Sequence, residues 1–244
     1  MAAILCPLVI DMSKFNLPHH QAIAAALDCF NPDYLLHHNI LFGGGTRIAL
    51  ELDEYRESID IDFLCADRAA YKAVREQVTN KSLGQLVKQE FSYVRDIRAD
   101  RDAVRTIIDY QKTKIKLEFV SFDNYALTQI YEPDFLPVPC IDRVTCFYTK
   151  LLANADRALN IPYKDIFDLL AMYTTWGNIP KQSIELAEER YGAVVKRQLV
   201  LALKDMTVNK ARYFKAASDM SMKESWAENL INTQAKALLA QLSQ

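Results

Sequence analysis

Three segments among the first eighty residues have the composition and apolar spacing of helices. They predict helices over 19–30, 46–52 and 67–80, the last with a charged outer face. A turn is predicted at 31–33, and a buried stretch over 35–44 leads into three glycines. The second helix is therefore expected to open directly after a glycine turn.

Strict alternation of apolar and polar residues predicts strands further along. Residues 58–64 alternate as SIDIDFL, and strands are also predicted over 91–97, 104–110 and 114–120. Only a short QKT segment joins the last two, so they are predicted to pair as an antiparallel hairpin.

The chain changes character after the segment 131–139, which contains three prolines. Proline interrupts both strand pairing and helices, so this segment is the predicted domain boundary. The pattern predicts an α+β domain at 1–138 followed by a helical domain at 139–244. The helices expected in the second domain cover 141–159, 163–176, 181–191, 192–205, 208–219 and 222–242.

Composition narrows the class of protein. Half of the 244 residues are hydrophobic, which supports a sizeable core, and the net charge of -2 does not indicate a strongly basic nucleic-acid binder. The apolar run at 1–15 lacks a basic start and is interrupted by Pro7, which argues against a signal peptide. No apolar run approaches the ~20 residues of a membrane span, so we expect a cytoplasmic protein without a membrane partner.

The cysteines are odd in number and include no CxxC pair. Neither a disulfide framework nor a thiolate zinc site fits that pattern, so reduced thiols are expected. The five are Cys6, Cys29, Cys65, Cys140 and Cys146.

Asp60 and Asp62 are the leading candidates for chemistry. Residues two apart on a strand point to the same side, so these carboxylates are expected to project together. Two close carboxylates repel each other unless a cation lies between them, and Mg²⁺ prefers carboxylate and phosphate oxygens. The alternative, commoner for a lone DxD, is a surface pair neutralised by Arg47 or Arg56. The neighbours expected to face the core are Ile59, Ile61 and Phe63.

A glycine turn and a threonine precede the carboxylates, at 43–46. Glycine lets a backbone approach a ligand closely, and the N-terminus of the following helix suits a phosphate. Thr46 could cap that helix or bind a phosphate oxygen. Alone, such a segment is usually only a turn; ahead of a helix and a strand with two carboxylates, it indicates a site for phosphate and metal.

A two-metal site needs a further carboxylate, and the strand 114–120 offers Glu118. Glu118 lies on its polar face and would reach the metals if this strand neighbours the strand of the two aspartates. An ordinary solvated face is the alternative, and Asp109 is a weaker candidate for the same role.

The stretch FGGGTRIALELDEYRESIDIDFL resembles the signature of the AbiEii/AbiGii toxin family of nucleotidyltransferases. That signature has a GGT turn, an apolar helix, and then R-x-S-x-D-h-D-h, where h is apolar. Arg47 and the DEY segment at 53–55 depart from the usual pattern. The matching residues are Gly44, Gly45, Thr46, Arg56, Ser58, Asp60 and Asp62.

A second family signature is a lysine-led helix ending in arginine, followed by R-D-x-x-D-L. TKLLANADR and YKDIFDLL are similar to it, with Lys164 where arginine is usual. Without the resemblance, the same residues would indicate a helix pair tied by salt bridges. The residues at matching positions are Lys150, Arg157, Asp165 and Asp168.

The resemblance implies a polymerase-β-like nucleotidyltransferase core with a mixed sheet, followed by a helical C-terminal domain. It implies the toxin of a toxin–antitoxin or abortive-infection system that uses a nucleoside triphosphate (NTP) and magnesium. Some members add nucleotides to the 3′ end of tRNA. The expected partners are therefore an NTP, a tRNA or other RNA acceptor, and a cognate antitoxin.

The matched residues then have expected roles. Two Mg²⁺ ions would lie between Asp60, Asp62 and Glu118, one activating an acceptor hydroxyl and the other stabilising the leaving pyrophosphate. Lys150 would balance the triphosphate charge, and Asp165 or Asp168 would orient Lys150 or contact the acceptor. The residues assigned to nucleotide binding are Gly44, Gly45, Thr46, Arg56, Ser58, Lys150 and Arg157.

Other functions stay open at this point. Basic residues at 95–116 and 204–215, with tyrosines nearby, could hold an RNA end, although a solvated charged surface is the simpler interpretation. The acceptor could also be a protein or a small molecule such as an aminoglycoside. A non-catalytic nucleotide-binding regulator on the same fold is a further alternative.

Overall fold

The computed structural model describes residues 14–122, 125, 127, 130–131 and 136–243. The apolar start of the chain, with Cys6, and residues 132–135 of the proline segment lie outside that part. No described helix is long and apolar enough to cross a membrane. The four described cysteines are buried free thiols: Cys29, Cys65, Cys140 and Cys146.

The first part of the chain contains both helices and strands, and helices alone follow. The first part contains α1 (Pro18–Leu27), α2 (Pro32–His37), β1 (Ile40–Gly43), α3 (Gly44–Glu51), β2 (Asp60–Cys65), α4 (Arg68–Gln77), a 3-10 turn (Gly84–Leu86), β3 (Ser92–Tyr93), β4 (Arg98–Ala99), β5 (Ala103–Tyr110), β6 (Thr113–Ser121), β7 (Ile130–Tyr131) and β8 (Cys140–Ile141). The second contains α5 (Arg143–Arg157), α6 (Lys164–Trp176), α7 (Lys181–Tyr191), α8 (Val194–Val208), α9 (Lys210–Asp219), α10 (Glu224–Asn229), a π turn (Leu230–Gln234) and α11 (Ala235–Leu242).

The described residues form two compact units, and the chain passes between them more than once. The first unit has the described residues of 1–42, 61–125 and 130–140, and the second has those of 43–60, 126–129 and 141–244. The last change of unit, at 140/141, lies close to the predicted boundary at 138/139. The segment 43–60, which carries the glycine turn, nevertheless belongs to the second unit, because α3 packs against α5 and α6.

A mixed sheet forms the first unit. Its strand order is β3-β5-β6-β2-β1-β8-β7, and β4 also pairs with β5. Strands β5 and β6 pair antiparallel, whereas β1 and β8 pair parallel, with Phe42 opposite Cys140. The predicted hairpin is confirmed: its two-residue turn has Gln111 at φ 51° and Lys112 at φ 68°, which matches the twist of the strands.

Aromatic rings fill the core face of this sheet. Phe63 of β2 stacks on Phe119 of β6 at a centroid distance of 5.1 Å and packs against Phe30 at 4.8 Å. Ile61 and Phe63 are fully buried, as predicted. The prediction for Ile59 is wrong: it is 51% exposed, because β2 begins only at Asp60.

Residues 31–33 do not form the predicted turn but begin α2. Asn31 accepts a hydrogen bond from the Tyr34 N–H at 3.2 Å, and Pro32 occupies the first turn of the helix. Asparagine followed by proline is a favourable helix start: asparagine caps the helix, and the N–H that proline lacks would have no partner in the first turn.

Two further elements differ in detail from the prediction. Of the segment 91–97 only β3 is a strand, because the chain bends away from the sheet edge before Ile97, whose N–H donates to the Asn80 carbonyl at 2.9 Å, and it returns to β5 as β4. The helix predicted over 222–242 is confirmed from Glu224 to Leu242, with the π turn between α10 and α11.

The second unit is built on α5, which packs against α6, α7 and α8. Asp142 caps α5 by accepting a hydrogen bond from the Thr145 N–H at 2.7 Å. The interior includes Phe147 and Phe167, and Tyr213 stacks on Tyr163 at 4.4 Å. The cap and the buried face of α5 fix the positions of the signature residues it carries.

Candidate active site

The two candidate metal ligands lie at the start of β2. Asp60 and Asp62 are half-buried and alternate with the buried Ile61 and Phe63, so both carboxylates lie on the non-core side of the strand. Within the described ranges, no group of three or more His, Cys, Asp or Glu side chains is arranged to hold a metal. Two carboxylates on one side of a strand do fit Mg²⁺, which usually takes one or two of them together with substrate phosphates.

Glu118 lies on β6, the strand next to β2, and is bound by two cations. Its Oε1 accepts a hydrogen bond from Arg105 Nε at 2.8 Å, and its Oε2 lies 2.5 Å from Lys116 Nζ. Such ion pairs are typical of an ordinary charged, solvated face of a sheet, which is the alternative to a metal-binding role for Glu118. Asp109 lies opposite Lys114 on β5, which β6 separates from β2. A role as third metal ligand stays a prediction for Glu118.

The glycine turn is required for two different reasons. Gly44 begins α3 at φ 71°, a left-handed conformation that glycine adopts without strain. A side chain on Gly45 would instead overlap Arg56 Nη2 and touch Asp168 Oδ2 and Ser58 Oγ at 3.4 Å. Gly45 therefore makes room for an arginine of its own unit.

Thr46 and Ser58 hold the beginning of β2. Thr46 is buried; its hydroxyl donates to the Asp60 carbonyl at 2.5 Å and lies 2.8 Å from the Ser58 hydroxyl. The capping residue of α3 is Gly43, so the option that Thr46 caps the helix is wrong. By fixing the backbone of Asp60, these hydroxyls position its carboxylate.

Asp168 is the centre of a buried ion cluster in the second unit. Arg56 donates to it twice, from Nε to Oδ1 at 2.8 Å and from Nη2 to Oδ2 at 3.0 Å. Lys150 Nζ lies 2.6 Å from Oδ2, and the Tyr55 hydroxyl donates to Oδ1. Four donors satisfy the oxygens of this fully buried carboxylate.

Asp165 completes the cluster. It accepts hydrogen bonds from Lys150 Nζ at 3.0 Å and from Arg157. The Lys150 side chain, 7% exposed, is therefore held between Asp165 and Asp168. The contacts needed for either aspartate to orient Lys150 are present, and the role of Lys150 on a triphosphate stays a prediction.

Burial and charge oppose each other in this cluster. Burial alone would raise the pKa of Asp168, but the charges of Arg56 and Lys150 outweigh it and keep that pKa below its usual value. The pKa of Asp165 is likewise lowered, because Lys150 and Arg157 outweigh its burial. Both carboxylates therefore stay ionised in the folded protein.

The cluster carries an excess of positive charge. The cations Arg56, Lys150 and Arg157 face the two carboxylates of Asp165 and Asp168, so one positive charge is left over. Burial lowers the pKa of Lys164 nearby, and the charges of Lys150 and Arg157 lower it further. Such a site is electrostatically suited to an anion.

Tyr55 belongs to the cluster although no sequence pattern predicts it. It lies in the DEY segment, where the chain departs from the family pattern, and only the folded structure brings its hydroxyl to Asp168. Burial and the charge of Asp168 raise its pKa well above the usual value, so the hydroxyl remains a donor. No spacing rule links it to α6, since more than a hundred residues separate the two.

The two basic segments are partly neutralised. Arg105 pairs with Asp100 as well as Glu118, and Lys215 and Arg212 pair with Asp219 and Asp205. These ion pairs favour the simpler interpretation, a solvated charged surface.

Comparison with known proteins points to one family. The family model described as "Nucleotidyl transferase AbiEii toxin, Type IV TA system" matches residues 25–237. The chain is similar in structure to a candidate nucleotidyltransferase from H. pylori, with a TM-score of 0.54, 15% identity, and coverage of 92% of this chain and 95% of that one. It is similarly related to JHP933 from Helicobacter pylori, with a TM-score of 0.54, 15% identity, and coverage of 94% and 95%. This likeness confirms the predicted α+β nucleotidyltransferase fold; no curated protein matches the chain.

Proposed function

This chain belongs to the AbiEii family of nucleotidyltransferase toxins of type IV toxin–antitoxin systems, and from that premise we propose that it is a magnesium-dependent enzyme that transfers a nucleotide from an NTP to an RNA acceptor such as tRNA. The observation that carries the proposal is the pair Asp60 and Asp62, half-exposed on one side of a strand. The first residue of that strand is held by Thr46.

In the proposed reaction, an acceptor hydroxyl oxygen bonds to the α-phosphorus of the NTP. The bond from that phosphorus to the oxygen bridging to the β-phosphate breaks, pyrophosphate leaves, and the hydroxyl proton passes to solvent. Mg²⁺ held by Asp60 and Asp62 would lower the pKa of the hydroxyl and neutralise charge on the phosphates. Glu118 would be the further carboxylate of a two-metal site, in place of its present ion pairs with Arg105 and Lys116.

The charge of the second unit supports a triphosphate substrate. The ion cluster around Asp168 has one positive charge in excess, and Lys150 is held at its centre. The free N–H groups at the start of α3 add positive potential beside Gly45, which itself lies against Arg56. A polyanion bound here would be stabilised by both.

The family also implies a cognate antitoxin. We propose that the protein acts in the cytoplasm, where NTP, RNA and such an antitoxin occur together.

Label transfer tests the proposed activity. Purified protein is mixed with Mg²⁺, each α-labelled NTP in turn, and total cellular RNA, alongside Asp60→Asn and Asp62→Asn variants. Asp96→Asn, which changes an exposed aspartate of the first unit, is the matched control. We expect label in a tRNA-sized band with the wild-type and Asp96→Asn proteins, and none with the other two.

The other outcomes separate the alternatives. Label in protein or in a small molecule would replace RNA as the acceptor but keep the enzyme. Nucleotide binding without any transfer, unchanged by Asp62→Asn, would overturn the proposal in favour of a non-catalytic regulator. Transfer retained by Asp62→Asn would overturn the assignment of the carboxylates.

A further inference from the structure

A small open pocket lies on the second unit, and none of its lining residues is one that the family signature matches. It is lined by Thr174 of α6 and by Ser225, Trp226 and Asn229 of α10, and its volume is about 220 Å³. Sites for drug-sized ligands measure roughly 300–1,000 Å³, so this pocket suits a smaller group. A half-buried indole beside three polar side chains is suited to a flat ring with a polar edge.

The polar groups of this pocket are not fully used by the protein. Among the described residues, neither the indole N–H of Trp226 nor the Ser225 hydroxyl has a hydrogen-bond partner. Asn229 accepts from Gln234 through Oδ1 at 3.2 Å, which leaves its amide N–H groups to donate. Thr174 donates to the Leu170 carbonyl at 2.7 Å, which leaves its oxygen as an acceptor. Donors and an acceptor around one aromatic wall match the edge of a nucleobase.

The pocket is also linked to the ion cluster, through Tyr55. The Trp226 ring packs against the Tyr55 ring at a centroid distance of 5.3 Å, and the Tyr55 hydroxyl donates to Asp168. The backbone supports this contact, because the Lys223 N–H donates to the Tyr55 carbonyl and the Glu57 N–H to the Met220 carbonyl, both at 2.9 Å. The segment that supplies Arg56 is therefore fastened to the segment that supplies Trp226.

We propose that this pocket binds a nucleobase, stacked on Trp226 and hydrogen-bonded at its edge by Ser225 and Asn229. The inference rests on the proposed nucleotidyl transfer and names a base-binding subsite for it. The base belongs either to the NTP or to the acceptor RNA; stacking on an indole is the same chemistry for both.

Tryptophan fluorescence tests the proposal directly, since the chain has only two tryptophans. The Trp176→Phe protein keeps Trp226 as its one tryptophan, and the matched Trp226→Phe protein keeps Trp176. Each is titrated with the four NTPs, with a short single-stranded RNA, and with inorganic tripolyphosphate. We expect saturable quenching only in the Trp176→Phe protein, by NTP or by RNA according to the source of the base, and none by tripolyphosphate.

Two substitutions sharpen the result. Trp226→Ala, which removes the reporting indole and is therefore measured by equilibrium dialysis, should weaken binding of the quenching ligand roughly tenfold or more, the loss expected for one base–aromatic stack. Asn229→Ala should change the order in which the four bases bind. Trp226→Phe retains a ring that packs against Tyr55 and can still stack on a base, so binding that survives in Trp226→Phe and is lost in Trp226→Ala would assign the loss to the aromatic ring.

The failures of the two proposals are distinguishable. Unchanged Trp226 emission in a protein that transfers label would overturn the base pocket and leave the enzyme in place. Quenching in a protein that transfers nothing would leave the pocket and remove the enzyme. Quenching by tripolyphosphate to the same extent as by NTP would overturn the pocket, because no base is then needed.

Discussion

The chain has two pairs of signature aspartates in opposite surroundings. Asp60 and Asp62 are half-exposed at the start of a strand, whereas Asp165 and Asp168 are buried on α6, each bound by two cations. A buried carboxylate without a partner costs several kcal/mol, so the second pair depends on its cations. The first pair remains accessible to solvent and therefore to a metal.

The contrast separates chemistry from framework. Changes to Asp60 or Asp62 should remove activity and leave folding intact. Changes to Asp165 or Asp168 should act first on stability, because they leave buried cations such as Arg56 and Lys150 without their counter-charge.

The largest effect is expected from Asp62→Ala. Loss of a metal ligand removes several kcal/mol of transition-state stabilisation, so nucleotide transfer should fall by about a thousandfold or more. The free energy of unfolding should change by less than about 1 kcal/mol, because the side chain is half-exposed. Single-turnover transfer and urea unfolding measure the two quantities. Loss of both would remove the distinction between the pairs.

Asp168→Ala should destabilise the protein by about 3–5 kcal/mol, as expected when one partner of a buried ion pair is removed. Urea unfolding followed by circular dichroism measures the loss. Asp219→Ala, which breaks an exposed pair with Lys215, is the matched control and should cost less than about 1 kcal/mol. A stable but inactive Asp168→Ala protein would show that Asp168 acts in the reaction and not mainly in stability.

Acid should reduce the stabilisation that the ionised Asp165 and Asp168 provide. The folded-state pKa values of Asp165 and Asp168 lie below those of unfolded aspartate, about 3.9. Their stabilisation is therefore complete above that value and is lost as the pH falls from there towards the lowered folded-state values. The free energy of unfolding, measured between pH 7 and pH 2, should decrease below about pH 3.9, and it should decrease less steeply in the Asp168→Asn protein. Equal slopes in both proteins would contradict the assignment.

Gly45→Ala should cost about 1–3 kcal/mol, because the new methyl group displaces an Arg56 side chain that is held by two hydrogen bonds to Asp168. A double-mutant cycle with Arg56→Lys identifies the cause. If Arg56 is the obstacle, Gly45→Ala should cost less in the Arg56→Lys background than in the wild type. Additive costs would point to the backbone of α3 instead.

The smallest effect is expected from Thr46→Val. It removes the hydrogen bond to the Asp60 carbonyl and should cost about 1 kcal/mol in stability and roughly tenfold in transfer rate. Thr149→Val removes a hydroxyl that bonds within α5, at the Thr145 carbonyl, and should affect stability alone. Equal effects of both variants on the rate would contradict a positioning role for Thr46.

Local patterns predicted most of the elements. The β5–β6 hairpin, the helix after the glycine turn and most of the helical half follow from periodicity, which depends on neighbouring residues only. The errors have other causes. Asn31 and Pro32 begin a helix where a turn was predicted, and the edge strand predicted over 91–97 ends early because the Ile97 N–H donates to the Asn80 carbonyl. Periodicity does not show where a chain leaves a sheet.

The sequence alone determined which residues form the signatures and that Asp60 and Asp62 share one side of a strand, because a two-residue repeat fixes orientation locally. It did not determine what those residues contact. Only the tertiary structure placed Gly45 against Arg56, Glu118 between Arg105 and Lys116, and Tyr55 between Asp168 and Trp226. The reason is physical: burial, charge compensation and pocket shape depend on segments that are distant in sequence and meet only when the chain folds.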